Sequence, residues 1–378
     1  MSRIFNSVVE TIEQNKSIKE SGGIIAIPWE DGFPRLSTVI PGVRKGLYTI
    51  ITSGTKESKT QLCDFLFVYQ PIDWLLKNPQ VKIKYKVLYF LLELSKEAKI
   101  LQAICYRLFT HYNILINPDN LLSVFKDYTI DDHILNIIKS DEFKKWMDFF
   151  EDTVVFYDNI KHPTGIGIVV DKYARENGTI HYREVDDWER PGHKRRVFDR
   201  YEPNDPDEIV VPIYDHASLL SEKGKTTYEC IKDLSSDLSI KFKNRYGYSP
   251  VLIQQQSADA TKQQFTSKGS SILEKVKPTR EGLANNKDTA MDCSLMIGIF
   301  SPYKYEEPEY ENWDLTRLRD GHREISILLN RHGRSNITVQ AYFNGACNFF
   351  KELPRLPSEN VYRFAERLRD EEDRYTRH

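Results

Sequence analysis

The residues most able to do chemistry lie between Ser53 and Thr60, in the run Ser-Gly-Thr-Lys-Glu-Ser-Lys-Thr. They follow an apolar stretch and open a helical pattern. That setting lets backbone N–H groups and a helix N-terminus cradle a polyphosphate. A lysine then reaches the β- and γ-phosphate oxygens, and a Ser or Thr hydroxyl holds Mg2+. Lys59 and Thr60 take the last two positions, with Gly54, Thr55, Lys56 and Glu57 as the body of the loop. Ser53 and Ser58 stand where GxxxxGK[ST] has glycines, and Ser58 puts a Cβ where the backbone favours positive φ. Alone, the same run also fits an ordinary polar helix start, so the chemistry depends on partners elsewhere.

Three apolar runs end in residues of the right type. Ile209–Asp215 ends in Asp215, a candidate for organising Mg2+ through water, or an acid closing a strand. Tyr89–Ser95 leaves Glu93 at a strand terminus, placed to polarise an attacking water or simply to start a helix. Pro250–Gln256 ends in Gln254, Gln255 and Gln256, whose amides both donate and accept and suit sensing of a γ-phosphate. Ligands of open parallel sheets bind beyond the carboxyl ends of the strands, where all of these residues fall.

Positioning them requires a sheet. Short runs rich in β-branched and aromatic residues recur at 46–52, 86–94, 153–158, 208–215, 249–255, 293–300, 324–331, 336–343 and 347–353. The early runs are continuously apolar, as expected of parallel strands covered on both faces. Helical patterns at 59–76, 96–109, 141–152 and 226–246 alternate with them, the last ending at Gly247. The alternation predicts an α/β fold with a mainly parallel central sheet flanked by helices. Short turns between the last three strands predict an antiparallel edge. Residues 177–207 read as an inserted β-hairpin turning near Pro191-Gly192, and 257–288 as a long polar loop of the kind that usually carries function. The segments 1–23 and 354–378 read as a helix with linker and a charged helix flanking the 24–353 body.

Composition narrows the function classes. The 378 residues carry 53 Lys and Arg against 55 Asp and Glu, a formal charge of −2, so any nucleic-acid contact must come from local loops. The longest apolar run, Val87–Leu92, is far too short to span a membrane, and the N-terminus lacks an apolar signal core. Five scattered cysteines without a CxxC pair fit a reducing compartment and no zinc ribbon.

In this order the pieces resemble the RecA-like ATPase domain of DnaB-type hexameric replicative helicases, including phage relatives. Ile25–Ile51 is similar to the lead that precedes the family's P-loop strand. Leu92-Glu93-Leu94-Ser95 matches its Leu-Glu-Met-Ser, and Tyr214-Asp215-His216-Ala217-Ser218-Leu219-Leu220 its aspartate strand. Pro250–Gln256 fits the Leu-Ser-Gln sensor strand with Gln256 as sensor. Thr289–Phe300 resembles the Gln-Asp-Ala-Asp strand entry with Asp292 as the final acid. Glu324–Gly345 is similar to the terminal strands with their Lys-x-Arg pair, the arginine falling on Arg331 and the lysine position on Leu329.

The resemblance, over about residues 24–353, implies a RecA-like P-loop NTPase: an ATP- and Mg2+-dependent helicase or translocase moving on single-stranded DNA. It implies a hexameric ring, primase or other replication proteins as partners, and the cytoplasm of a bacterial cell, including a phage-encoded origin. Lys59 binds phosphate, Thr60 and Asp215 hold the metal, Glu93 activates water, Gln256 senses phosphate and Arg331 reaches a neighbour's nucleotide. The family's N-terminal partner-binding domain has no counterpart here. Residues 4–20, with Ile4, Phe5, Val8, Val9 and Ile12 in a stripe, instead suit docking on an adjacent subunit. Residues 261–288 hold six basic against three acidic side chains, and Lys262, Lys268, Lys275, Lys277 and Arg280 are the candidate DNA contacts. The hairpin tip His193-Lys194-Arg195-Arg196 is a second basic candidate. Ser58 and Leu329 keep two alternatives open: a nucleotide-binding ring scaffold with weak or lost hydrolysis, and a RecA-like recombinase.

Overall fold

A computed structural model describes residues 3–265 and 272–376 of the chain. All nine expected sheet strands are present, as β1 (Thr49–Ser53), β2 (Tyr85–Leu91), β3 (Val154–Tyr157), β6 (Ile209–Asp215), β7 (Val251–Gln255), β8 (Leu295–Phe300), β11 (His322–Asn330), β12 (Ile337–Asn344) and β13 (Phe349–Glu352). They form one sheet in the order β13-β12-β11-β8-β1-β7-β6-β2-β3. From β3 to β8 every pairing is parallel, and β11, β12 and β13 then run antiparallel along one edge.

The continuously apolar runs have the expected cause: both faces of the sheet are covered. Successive residues of a strand serve different cores. Ile51, Val87, Ile213 and Ile297 pack with the helix that starts at Lys59 and with Ile27–Leu47. Ile50, Leu88, Tyr214 and Met296 pack with helices Pro163–Glu176 and Thr227–Ser236. The helix from Lys59 reaches Lys77 through a π turn at Phe65–Tyr69, all five residues of which are buried. The helix from Thr227 begins with a Thr226–Glu229 capping box and continues through a π turn to Lys243. Gly247, at φ +71, follows it as the sequence predicts.

The insertion is a two-stranded antiparallel hairpin, β4 (Gly178–Asp186) and β5 (Lys194–Pro203), with Gly192 at φ +85 in the turn. Its stem closes through Asn204 N–H to the Asn177 carbonyl at 2.9 Å. Residues Glu309–Tyr310 (β9) and Trp313–Asp314 (β10) form a smaller ribbon. The long loop is tied to the sheet where Ser257 N–H meets the Gly282 carbonyl at 2.7 Å.

The C-terminal helix Glu359–Thr376 packs on the body. Its Tyr362, Ala365 and Leu368 are buried with Trp313, Leu315 and Leu318 in a third apolar cluster. Arg317 straddles Glu359 at 2.8 Å and Glu366 at 2.6 Å and lies over the Tyr362 ring. The helix therefore belongs to the folded unit, and Leu368→Ala is expected to cost about 2–5 kcal/mol. Denaturant unfolding measures this, and an unchanged midpoint would show the helix to be dispensable.

Candidate functional site

Because β1, β7, β6, β2 and β8 are parallel, their C-terminal ends share one end of the sheet. Ser53 ends β1 and the chain turns through Gly54 to Ser58 into the helix at Lys59. Lys56 and Ser58 both take left-handed backbone conformations, φ +59 and +71. Ser58 thus adopts the conformation that the sequence pattern reserves for glycine. Gly54 sits against the Glu57 carboxylate, where a Cβ would come within 2.6 Å of Oε1.

The predicted partners converge on this loop. The Thr60 hydroxyl donates to Asp215 Oδ1 at 3.0 Å. Leu91 lies opposite Asp215 in the register of β2 and β6, and Leu92 N–H donates to the Asp215 carbonyl at 2.8 Å. That places Glu93 just beyond the aspartate, half-exposed, with Oε2 3.7 Å from His216 Nε2. Burial lowers the Lys59 ammonium below the ordinary lysine value, although Asp215 and Glu93 oppose this. Burial and the neighbouring Lys59 charge push His216 below the usual histidine range, so it is a neutral imidazole at pH 7.

The three glutamines divide by strand parity. Gln256, the expected sensor, is buried, and its amide donates to the Thr52 hydroxyl at 2.9 Å and the Thr279 carbonyl at 3.0 Å. Gln254 donates to the Ala284 and Asn286 carbonyls at 2.8 and 2.7 Å. Both pin the long loop. Gln255, between them and therefore on the other face, donates to the Thr55 hydroxyl and is the glutamine that meets the phosphate loop.

Arg331 lies at the other end of the sheet. It is exposed, and its guanidinium donates to the Cys293 and Met291 carbonyls at 2.8 and 2.6 Å. Asp292 accepts from the Ser235 hydroxyl at 2.7 Å. Among the loop cations, Lys262 and Arg280 are exposed and Lys275 bonds Gln264 at 2.9 Å. Lys277 is half-buried and ion-paired with Glu274 at 2.7 Å and Glu324 at 3.5 Å, so its charge is already engaged. Lys268 lies outside the described residues.

Several groups at the loop escaped sequence reading. Lys304 donates to the Thr55 carbonyl at 2.9 Å and pairs with Glu57 at 3.2 Å, and the Tyr305 hydroxyl reaches the same carboxylate at 3.3 Å. Burial pushes the Glu57 carboxyl up, with Lys304 and Arg323 opposing. Beneath the site, Lys99 is fully buried between Asp64 at 2.7 Å and Asp215 at 4.0 Å, with the Tyr89 hydroxyl at 3.1 Å. Burial alone would lower the lysine, but the two carboxylates raise it and keep it charged. No short motif links Asp64 to Lys99, 35 residues on.

No family model matches the chain, and no curated protein matches it in sequence. Two solved structures are similar in fold. One is a helicase ATPase domain, 16% identical, with 94% of this chain and 100% of that chain covered at a TM-score of 0.61. The other is a DnaB-like replicative helicase described with its interactions with primase, also 16% identical, with 94% of this chain and 68% of that chain covered at a TM-score of 0.62. The fold is that of the RecA-like P-loop NTPases, as the order of motifs led one to expect.

Removing one member of a buried ion pair strands the other. Lys99→Met is therefore expected to destabilise the chain by about 3–5 kcal/mol, and adding Asp64→Leu to recover most of it. Unfolding midpoints of the two single variants and the double variant measure the coupling. A loss below about 1 kcal/mol for Lys99→Met would remove the pair as an organiser of Asp215.

Proposed function

We propose that the chain is an ATP-hydrolysing motor of the replicative DnaB type, working as a hexameric ring on single-stranded DNA in a bacterial cytoplasm. The observation that carries this is the meeting of Thr60 and Asp215 at 3.0 Å beside the buried Lys59, at the carboxyl end of a parallel sheet. The similarity in fold to two proteins of known type adds support.

The residues present fit Mg2+. A hydroxyl and a carboxylate in contact at the phosphate loop are the sparse protein donor set that this ion uses with phosphate oxygens and water. Among the described residues no cluster of three or more His, Cys, Asp or Glu competes for a metal. When bound, the ion would neutralise phosphate charge. The loop backbone and Lys59 would bind the β- and γ-phosphates. Glu93, half-exposed just past Asp215, would hold and orient the attacking water and take its proton. Gln255 rather than Gln256 is placed to feel the phosphate through Thr55. Arg331 is too far to serve its own loop and would act on the nucleotide of an adjacent subunit, its planar cation stabilising charge there.

Two surfaces support assembly and DNA contact. Helix Arg3–Glu20 leaves Phe5, Val8 and Ile12 more than half exposed, an apolar stripe suited to an adjacent subunit. Lys262 and Arg280 are free of ion pairs among the described residues and are the strongest DNA candidates. Primase or another replication protein is a further partner on this reading.

ATP hydrolysis by the purified chain, with and without single-stranded DNA, tests the proposal. Stimulation by DNA and its loss in Lys59→Ala are expected. Glu93→Gln should retain nucleotide binding while hydrolysis falls about 10²–10⁴-fold. Arg331→Ala should be inactive alone and regain activity when mixed with Lys59→Ala, since one mixed interface then carries both residues. Nucleotide binding without hydrolysis would favour the scaffold reading, and filaments on single strands the recombinase reading.

A further inference from the structure

The serine that departs from the glycine pattern has a partner 265 residues away in the chain. Ser58 is held at φ +71, a conformation that glycine adopts freely and serine does not. Its hydroxyl lies 3.1 Å from Nη2 of Arg323, at the start of β11. Because β11 is the first antiparallel strand, its beginning falls at the same end of the sheet as the phosphate loop. Arg323 is 1% exposed and lies over the Phe343 ring at 4.8 Å. Its other bonds go to the Ser301 hydroxyl at 3.1 Å, the His322 carbonyl at 2.8 Å, the Asp320 carbonyl, and the Asp320 carboxylate at 3.1 Å, while its Nε has no hydrogen-bond partner.

Three consequences follow from these contacts. A guanidinium has donors only, so the Ser58 hydroxyl accepts from it and retains its own hydrogen to donate. The acids near the cation are Asp320, whose side chain is largely exposed, and Glu57, whose carboxyl is pushed up by burial and is already shared with Lys304. The buried positive charge is therefore poorly compensated within the chain, and an anion on the loop would complete it. A hydrogen bond from a charged donor in such a place also outweighs the strain of one left-handed serine.

We propose that Ser58 and Arg323 are a matched pair that positions the phosphate loop, with Arg323 acting through Ser58 to favour a bound polyphosphate. This rests on reading residues 53–60 as a phosphate-binding loop. The serine is then no defect. Restoring the glycine of the general pattern weakens nucleotide binding as long as Arg323 is present.

The test measures binding of a fluorescent ADP to the full chain and to the variants Ser58→Gly, Ser58→Ala, Arg323→Met, Ser58→Gly/Arg323→Met and Lys59→Ala. The expected result is a loss of about tenfold for Ser58→Gly. Ser58→Ala, which keeps the strain and loses the hydroxyl, should lose more. In the Arg323→Met background, Ser58→Gly should cost nothing. Equal or tighter binding by Ser58→Gly in the natural background overturns the proposal, as does the same loss with and without Arg323. If the natural chain shows no binding that Lys59→Ala removes, the phosphate-loop reading itself fails and the pair falls with it. Melting temperatures without nucleotide identify any variant that does not fold. Arg323→Lys, which keeps the charge and loses the fork, replaces Arg323→Met in the cycle if needed.

Discussion

Six neighbouring strands running the same way are the constraint on which the rest of this molecule depends. Parallel pairing from β3 to β8 sends every connection out of one end of the sheet, and the side chains that can do chemistry gather there. Ser53, Asp215, Gln255 and Glu93 each sit at or just beyond a strand terminus. The contact between Thr60 and Asp215 is where two such connections touch, and it requires the registers of β1, β7 and β6 to agree. A slip of one residue in β6 would turn Asp215 to the other face and replace it with Tyr214 or His216.

The same end of the sheet concentrates buried charge to a degree that no stability argument recommends. Glu57, Lys59, Asp64, Lys99, Asp215 and Arg323 all lie within or directly beneath the loop, and apolar replacements of buried ion pairs are often as stable or more so. Their arrangement is nonetheless ordered. Lys99 stands between two carboxylates, Glu57 between two cations, and Lys59 near Asp215 and Glu93. Each charge is held by an opposite one on a different element, so the loop, the strand ends and the helix from Lys96 are fixed relative to one another. Such a lattice suits a site whose ligand is itself highly charged.

Much of this was readable from the sequence, and what was not has a common cause. The nine strands were visible because burial on two faces leaves continuous apolar runs, and the hairpin because its turn carries Pro191-Gly192. The loop, Asp215 and Glu93 were visible because each is tied to a strand end within a few residues. The choice among Gln254, Gln255 and Gln256 was not, because it depends on which parity of β7 faces the loop, and a central strand buried on both sides gives no periodic clue. Lys304 and Arg323 were invisible for a different reason. They reach the loop from segments far later in the chain, through the sheet order β1-β8-β11, which no local pattern encodes. Lys277 looked like a free loop cation because its acidic partner Glu324 lies on β11, brought close by folding alone.

The reversal of direction at β11 also separates two arginines that the sequence places eight residues apart. A strand rises about 3.3 Å per residue, so Arg323 and Arg331 stand about 26 Å from each other along the same strand. The first lies under the phosphate loop and the second at the opposite end, held by the Met291 and Cys293 carbonyls. One strand therefore supplies an inward cation to its own loop and an outward cation that its own loop cannot use. On the proposed reading, the outward one finds its phosphate only when a second copy presents a loop to it. The chain would then sense a neighbour's nucleotide through β11 and its own through Thr55, Gln255 and the adjacent Gln256. Gln256 grips Thr279, one residue from Arg280. Phosphate loop, subunit contact and DNA loop are thus joined by short, rigid segments of one sheet, which is the mechanical condition for hydrolysis at an interface to move a loop in a channel.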